Sequence, residues 1–327
     1  MLESIKNPNE ETITFSLIYE HNITNALNYL PQRKLDDLIK EGKGNSELPI
    51  GRKNIHGVQY WLVPSKVKLD GSTFQMLDYL IKKITESTYR TATKEEILAN
   101  REIEIDLKEV SKLFGKTMNG TKKMVLRTVE SLANIKIDRL DIPLKRNVVV
   151  KNNSDIIKWS FPIVSAIGKY LNNKSIKNSR MRVELHVKLV EMLPKEAYLM
   201  YYPDALFRIN TARYPNAFLF GRRLCLHYRQ NQKKNNSNSI NVETLLNLAL
   251  EIPKYDDIKK TGSIRQRIIA PFIRDMDVLV KMNVLSEWHL EDLFSKELID
   301  CPKTVTWKQF INSKLVFELK EYPHKNL

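Results

Sequence analysis

The stretch 263-SIRQRIIAPFIRDMDVLVKM-282 decides how the chain is interpreted. At about 100° per residue, its apolar side chains fall within one half of a helical circle and its polar and basic ones within the other. The apolar half comprises Ile264, Ile268, Ile269, Phe272, Ile273, Met276, Leu279 and Val280. The outer half comprises Ser263, Gln266, Arg267, Ala270, Arg274, Asp277 and Lys281. This pattern predicts an amphipathic helix whose apolar side packs on a core.

A proline interrupts this helical pattern. Pro271 removes one backbone amide and clashes with the preceding turn, which costs about 3 kcal/mol when it is not relieved. The residues leave two arrangements open: one helix with a kink or an unwound turn, or two helices that meet at Pro271. Arg265 falls at an apolar angle, but it lies in the first turn, where its side chain can leave the core.

The polar half has the composition of a helix that binds in the major groove of DNA. Such a helix needs an apolar back, a narrow front of hydrogen-bonding side chains and cations near its N-terminus. We predict that Arg267 and Gln266 lie nearest the base edges and that Arg274 or Lys281 lies nearer the backbone. Ser263 and the amides of the first turn can accept a phosphate, because a helix N-terminus carries partial positive charge.

The charge of the chain supports a polyanionic partner. The formal net charge is +15, and residues 205–281 hold fourteen Lys or Arg against six Asp or Glu. Residues 282–327 hold six against seven. A basic excess of this size favours nucleic acid, although a solvated basic surface without a partner stays open. The charge density adds further DNA-contacting candidates to Arg265 and the outer half: Arg222, Arg223, Arg229, Lys259 and Lys260.

A second helix–helix pattern occurs earlier in the chain. Asp106 is a predicted N-cap for one helix, which Gly115 ends, and the next helix starts near Asn119. On that second helix, one side is apolar and comprises Val125, Leu126, Val129, Leu132 and Ala133. The predicted DNA-contacting residues here are Asn119, Lys122, Lys123 and Arg127. A solvated helix face is the alternative, because such faces also carry Lys and Arg.

The order of elements predicts the fold class. Three helices followed by strand-like segments are typical of a winged helix, and this order occurs twice. The strand-like segments 284–291 and 304–320 are predicted to pair as the second wing. We therefore expect an α+β chain with two tandem winged-helix domains, at 59–198 and 199–327. Residues 1–58 form an N-terminal extension of uncertain structure.

Other classes of protein are disfavoured. Two cysteines, no basic-then-apolar start and no apolar run of about eighteen residues favour a soluble, cytoplasmic protein with no membrane partner. No two histidines stand one residue apart, so the metal site of rolling-circle nickases is missing. The stretch 114-FGKT-117 lacks the earlier glycine of a phosphate-binding loop, because Val110 occupies that position. We expect no catalytic residue, metal or cofactor.

The motif 265-RQRIIAPFIRDMDVL-279 resembles the recognition-helix signature of iteron-binding plasmid replication initiators, which have two winged-helix domains. The matching positions are Arg267, Ile268, Ile269, Pro271, Phe272, Asp275 and Asp277. The stretch 214-YPNAFLFGRRLCLHY-228 is similar to the helix that opens their second domain, and 105-IDLKEVSKLFG-115 to their first helix-turn-helix. The resemblance covers roughly residues 60–320 and favours a continuous, kinked helix at Pro271.

This resemblance implies a function. Such initiators bind direct repeats in double-stranded DNA at an origin, help to open it, and recruit the host replication initiator and helicase machinery. Many dimerise through the first domain, so a homodimer is implied here. We therefore expect a non-enzymatic, sequence-specific replication initiator. The alternatives are a winged-helix transcriptional repressor and, from another class, a nicking or priming enzyme of a mobile element.

Overall fold

The computed structural model of the chain describes residues 15–20, 48–50, 58–63, 70–88, 93–141, 157–169, 180–196, 198–232, 234, 236–249, 251–299 and 305–323. The chain divides into two compact units. One is formed by Tyr19–Tyr198, and the other combines Met1–Ile18 with Leu199–Leu327. Helices and small sheets occur in both units, in agreement with the predicted α+β class.

The elements are numbered along the chain. The strands are β1 (Phe15–Glu20), β2 (Leu48–Ile50), β3 (Val58–Val63), β4 (Glu102–Asp106), β5 (Lys136–Asp141), β6 (Ile157–Pro162), β7 (Val164–Lys169), β8 (Arg180–Leu185), β9 (Tyr198–Pro203), β10 (Ser239–Asn241), β11 (Leu285–Asp292) and β12 (Ser313–Leu319). The α-helices are α1 (Gly71–Thr88), α2 (Lys94–Ala99), α3 (Leu107–Leu113), α4 (Met118–Ala133), α5 (Val187–Glu196), α6 (Ala205–Arg208), α7 (Ala217–Asn231), α8 (Val242–Leu246), α9 (Tyr255–Ile258), α10 (Ala270–Lys281) and α11 (Trp307–Ile311).

The unit Tyr19–Tyr198 is built around α1. Its sheets have the strand orders β2-β3-β5-β6 and β4-β8-β7, and all of these neighbours are antiparallel. Helix α1 packs against α4, which also contacts α3. Apolar residues at helical spacing along α1 are at most 2% exposed: Phe74, Leu77, Leu80, Ile81 and Ile84. This core holds α4 by one side and leaves its other side at the surface.

The ends of α3 and α4 follow the predicted local chemistry. Asp106 caps α3, since its carboxylate accepts a hydrogen bond from the Lys108 amide at 2.7 Å. The predicted N-cap is therefore confirmed. Gly115 follows the helix with a φ of 59°, a conformation that glycine adopts without strain. Thr117 caps α4 through the Gly120 amide.

The other unit carries the sheet β10-β12-β11 and the pair β1-β9. Strands β11 and β12 are antiparallel, as the sequence predicts. The prediction of a strand from residue 304 onward is wrong in its first part, because Thr306 and Gln309 form a capping box that starts α11. In the core, Phe272 of α10 contacts Phe220 of α7, with ring centroids 5.3 Å apart.

Helices α7 and α10 approach each other closely at a glycine. A Cβ atom on Gly221 would lie 2.5 Å from Leu206 Cδ2 and 2.8 Å from Leu279 Cδ2. Both leucines are fully buried. The missing side chain therefore sets the distance between α7 and α10.

Residues 264–281 form one continuous helix with a π turn in its first half. Arg265–Ile269 form that turn, and the Ala270 amide donates to the Arg265 carbonyl, five residues back. The backbone stays right-handed helical from Ile269 (φ −68°, ψ −50°) to Ala270 (φ −63°, ψ −42°), and Pro271 lies in the first turn of α10. Two separate helices are therefore excluded. The unwound turn relieves the proline, as predicted from the sequence.

Within the described residues, no helix is both long enough and apolar enough to cross a lipid bilayer.

Candidate nucleic-acid interface

The exposed side of helix 264–281 is polar and basic. Ile268, Ile269, Phe272 and Met276 are at most 2% exposed. The exposed residues, which we call the outer face, are Arg265, Gln266, Arg267, Ala270, Arg274 and Lys281. The predicted division of this helix into a core side and a surface side is therefore confirmed at most positions, but Ser263 and Asp277 of the predicted outer half are half-buried.

The π turn explains why Arg265 belongs to the outer face. In an α-helix, residues five apart differ by about 140° around the axis. A hydrogen bond that spans five residues instead brings them to the same side. Because the Ala270 amide bonds to the Arg265 carbonyl, Arg265 lies one turn above the exposed Ala270. Helical periodicity alone placed Arg265 at an apolar angle, since it assumes an α-helix throughout.

A cleft of about 380 Å³ runs along this helix. Its lining combines three cations, several small or apolar residues of the helix and an aromatic ring from the loop before α7. The complete lining is Tyr214, Arg265, Ile269, Ala270, Ile273, Arg274, Asp277, Val278 and Lys281. Cationic rims suit phosphates, and small or apolar floors suit the thymine methyl group.

Arg274 is held in place within this cleft. Its Nε and Nη2 atoms lie 2.9 and 2.8 Å from the Oδ1 atom of Asp275. The guanidinium carbon is 5.6 Å from the centroid of the Tyr214 ring, and Arg213 lies over the same ring at 5.3 Å. The side chain of Arg274 is nevertheless 47% exposed. It is therefore oriented by the protein and still accessible to a ligand.

Asp275 is a buried carboxylate with a full set of partners. Its Oδ2 atom accepts hydrogen bonds from the Asn216 amide at 3.3 Å and from Asn216 Nδ2 at 2.9 Å. The Asn216 Oδ1 atom in turn accepts from the Glu251 amide at 3.3 Å. Burial raises the pKa of Asp275, and the hydrogen bonds and charge of Arg274 oppose that rise. The carboxylate thereby ties α10 to the loop before α7.

The segment before the helix presents further cations. Lys259 and Lys260 are exposed on the short turn Lys259–Thr261, and Ser263 is half-buried. Lys259 Nζ pairs with Asp256 Oδ1 at 2.9 Å, and this hydrogen bond raises the pKa of Lys259. Gly262 has a φ of 67° and turns the chain into the helix.

The arginines of α7 differ from the prediction. Arg222 is 2% exposed, so it belongs to the core and its assignment as a DNA contact is wrong. Its spacing of three and four residues from Phe218, Leu219, Cys225 and Leu226 places it on the apolar side. Arg229 donates from Nε to the Leu199 carbonyl at 3.3 Å and is half-buried, as is Arg223. The structure gives Arg229 an intramolecular role.

In the unit Tyr19–Tyr198, the predicted residues on α4 are exposed. They are Asn119, Lys122, Lys123 and Arg127. Arg127 Nη2 pairs with Asp70 Oδ2 at 2.8 Å across the start of α1. The buried side of α4 includes Thr121, Met124 and Thr128, whereas Leu126 is half-buried. The core side is thus rotated slightly from the predicted one, and the basic side stays at the surface.

Sequence reasoning missed the residues that surround Arg274. Tyr214 and Arg213 lie in a loop, outside any periodic pattern, and they meet α10 only in the folded chain. The burial of Asp275 could be inferred from the sequence. Asp275 is three residues from Phe272 and four from Leu279, so it lies within the apolar stripe. A carboxylate in such a stripe needs a buried partner.

The molecule thus belongs to the mixed helix–strand proteins with two compact units and an exposed basic helix face. No family model matches the chain, and comparison with curated proteins finds no match. Among solved structures, the Pi initiator protein in complex with iteron DNA is similar, with 10% identity and a TM-score of 0.51. The similarity covers 94% of this chain and 98% of that one.

Two structures of domains 2 and 3 of RctB, one of them a selenomethionine derivative, are also similar. Each has 9% identity and a TM-score of 0.45, and covers 84% of this chain. The matched regions make up 90% and 91% of the two RctB chains. At such identities a likeness concerns the fold. The fold shared with the Pi initiator confirms, at that level, the resemblance to replication initiators.

Proposed function

We propose that this chain is a sequence-specific, double-stranded DNA-binding replication initiator of a plasmid or plasmid-like element. The observation that carries the proposal is the outer face of helix 264–281. It displays three arginines, a glutamine and a lysine at the surface, while the opposite side is fixed in the core. A rigidly backed helix with hydrogen-bonding side chains is what major-groove recognition needs.

In this proposal, both units act as winged helices. Helix 264–281 with strands β11 and β12 corresponds to a recognition helix and its wing, and α4 with β5 and β6 corresponds to the same parts in the other unit. The outer face supplies the main contacts, and Lys123 and Arg127 of α4 supply secondary ones. If six cations meet phosphates, the slope of log affinity against log salt is about −5.

The biological role extends this binding activity. The initiator binds repeats at an origin, promotes opening of the adjacent duplex and brings in host replication proteins. We propose that it does so without catalysis of its own and that a homodimer forms through the first unit. The fold shared with a protein solved on iteron DNA supports the DNA-binding part. Incubation with supercoiled plasmid and divalent metal should leave the plasmid intact, and nicked circles would contradict the non-enzymatic role.

The decisive experiment measures sequence preference. The full chain is first used to enrich duplexes from a pool with a randomised segment of about 20 base pairs, and the enriched duplex is compared with a scrambled one. Arg267→Ala should weaken binding to the enriched duplex about tenfold or more and flatten the preference, since a bidentate contact contributes about 1–3 kcal/mol of discrimination. Circular dichroism must show a folded variant, because Arg267 precedes buried Ile268.

Two controls separate specific from general effects. Lys281→Ala should weaken both duplexes equally and reduce the salt slope by about one, as a phosphate contact does. Arg208→Ala removes an exposed arginine outside the helix and should leave the preference unchanged. The unpaired strand of the enriched duplex should bind more weakly than the duplex, because the proposed readers are helices. An unchanged preference in folded Arg267→Ala, or tighter binding to the single strand, would refute the assignment.

A further inference from the structure

Arg274 has the geometry of a pre-oriented hydrogen-bonding fork. Its Nε and Nη2 atoms both approach Asp275 Oδ1, which commits one edge of the guanidinium to the protein. A guanidinium carries five N–H donors in a plane, so the end formed by Nη1 and the second hydrogen of Nη2 remains to donate elsewhere. Among the described residues, no acceptor takes a hydrogen bond from Nη1 of Arg274.

Three contacts restrict the motion of this fork. Asp275 is fully buried, so its carboxylate holds the Arg274 guanidinium at a fixed position. Asn216 holds the second oxygen of that carboxylate through its backbone amide and its side chain. The guanidinium lies over the Tyr214 ring, 5.6 Å from its centroid, and both side chains line the cleft. The rotational freedom that a surface arginine loses on binding is therefore already largely lost before a ligand arrives.

We propose that Arg274 contacts a guanine edge in the major groove, with its Nη1 and Nη2 atoms donating to O6 and N7, and that Asp275 is its positioning residue. The inference rests on the proposed function and assigns a base to one point of the outer face. It revises the prediction that Arg274 lies nearer the DNA backbone. It also defines a specificity-determining pair, Arg274 and Asp275, that is distinct from Arg267 and Gln266.

The choice of guanine over phosphate follows from what each ligand requires. A phosphate accepts from many directions, and a mobile lysine such as exposed Lys281 serves it well. A bidentate contact to guanine requires a planar fork in a fixed orientation. A buried carboxylate beneath an accessible arginine provides that orientation. A neutral partner would provide less, since charge-assisted hydrogen bonds are roughly twice as strong as neutral ones.

The experiment uses the full chain and the randomised duplex pool. The wild-type protein, Arg274→Ala and Arg274→Lys are each used to enrich sequences. The wild type should enrich a motif with guanine at one position where both variants accept any base. Arg274→Lys should retain the wild-type salt slope, since its charge is kept, and should lose the guanine preference about five- to 150-fold, the range that a bidentate contact supplies. Arg208→Ala should enrich the wild-type motif.

Chemical substitution in the DNA locates the contact. Replacing that guanine by 7-deazaguanine removes the N7 acceptor and should weaken wild-type binding about tenfold, while Arg274→Ala should bind both duplexes equally. Asp275→Asn should lower the preference at this position and leave the preference at other positions unchanged, which a loss of general stability would not do. If Asp275→Asn does not fold, the lysine variant of exposed Arg274 carries the test alone.

Distinct results would overturn the two proposals. If both Arg274 variants weaken all duplexes alike and still enrich guanine at every wild-type position, Arg274 is a backbone contact and the inference is wrong. A 7-deazaguanine effect that persists in Arg274→Ala leads to the same conclusion. If the wild type enriches no sequence from the pool, the proposed function itself fails, and the assigned base fails with it.

Discussion

Replacement of Pro271 by alanine tests whether the proline maintains the π turn at Arg265–Ile269. Alanine restores the missing amide and makes a regular α-helix possible through this segment. Conversion to that helix would turn the start of the segment, at Arg265, by about 100°, the rotation of one residue. Arg265 would leave the outer face for an apolar angle, whereas Ile268 and Ile269 would stay at apolar angles. The alternative is that the variant keeps the turn because it holds Arg265 at the surface.

The position of Arg265 decides between these outcomes. Its side chain is exposed in the π turn, and a regular α-helix would place it at an apolar angle beside buried Ile268 and Ile269. Burial of a charged side chain without a partner costs several kcal/mol. The restored backbone hydrogen bond contributes about 0.5–1.5 kcal/mol. We therefore expect Pro271→Ala to keep the π turn, with a free energy of unfolding within about 1 kcal/mol of the wild type.

Urea unfolding measures the stability of Pro271→Ala, and binding to enriched and scrambled duplexes measures its preference. Both should match the wild type closely. Ile268→Ala is the contrasting variant and should lose about 2–5 kcal/mol, because it leaves a cavity in the core beside the turn. A Pro271→Ala variant that gains more than about 2 kcal/mol and loses its sequence preference would refute this reasoning. Such a result would show that the proline, and not the exposure of Arg265, maintains the turn.

Three further changes test other parts of the structure. Gly221→Ala should destabilise the protein by up to about 2 kcal/mol in urea unfolding, because overpacking against Leu206 and Leu279 outweighs the gain in helix propensity. Burial lowers the pKa of His227, so the unfolded chain takes up its proton first, and the melting temperature should fall as pH drops through about 6.5. Lys123→Ala with Arg127→Ala should weaken DNA binding less than Arg267→Ala does.

Each of these changes has a control and an opposing result. Gly221→Ala should cost less in a background that combines Leu206→Ala with Leu279→Ala, and an equal cost in both backgrounds would exclude the steric explanation. His227→Gln should show a smaller fall in melting temperature between about pH 7.5 and about pH 5.5, and an identical fall would assign the effect to other groups. If the α4 double variant abolished binding while Arg267→Ala did little, the two helices would exchange their assigned roles.

The sequence predicts the helix that carries the outer face, because eight apolar residues at helical spacing outweigh one proline. It does not predict where the deviation lies. The irregular turn directly precedes Pro271, whose ring would conflict in a regular α-helix with the carbonyl four residues earlier. Arg265 is exposed because of the π turn. A constant rotation of about 100° per residue places it instead at an apolar angle.

Charge density predicts the exposed residues less well than helical periodicity does. It assigned Arg222 to DNA, although its spacing from the apolar residues of α7 already places it in the core. Loop residues were beyond prediction for another reason. Tyr214 meets Arg274 through tertiary packing, and sixty positions separate them in the sequence. Trp307 was expected in a strand, but the local cap formed by Thr306 and Gln309 determines a helix.

The pairing of β1 with β9 has a consequence for biosynthesis. Strand Phe15–Glu20 leaves the ribosome before nearly all of the Tyr19–Tyr198 unit, and its partner Tyr198–Pro203 emerges after that unit. During translation, β1 therefore has no partner strand until the intervening residues have been synthesised. A recombinant fragment that begins at Leu199 lacks this strand and exposes one edge of β9 to other chains. Such a fragment should aggregate, and joining residues 15–20 to it through a flexible linker should keep it monomeric.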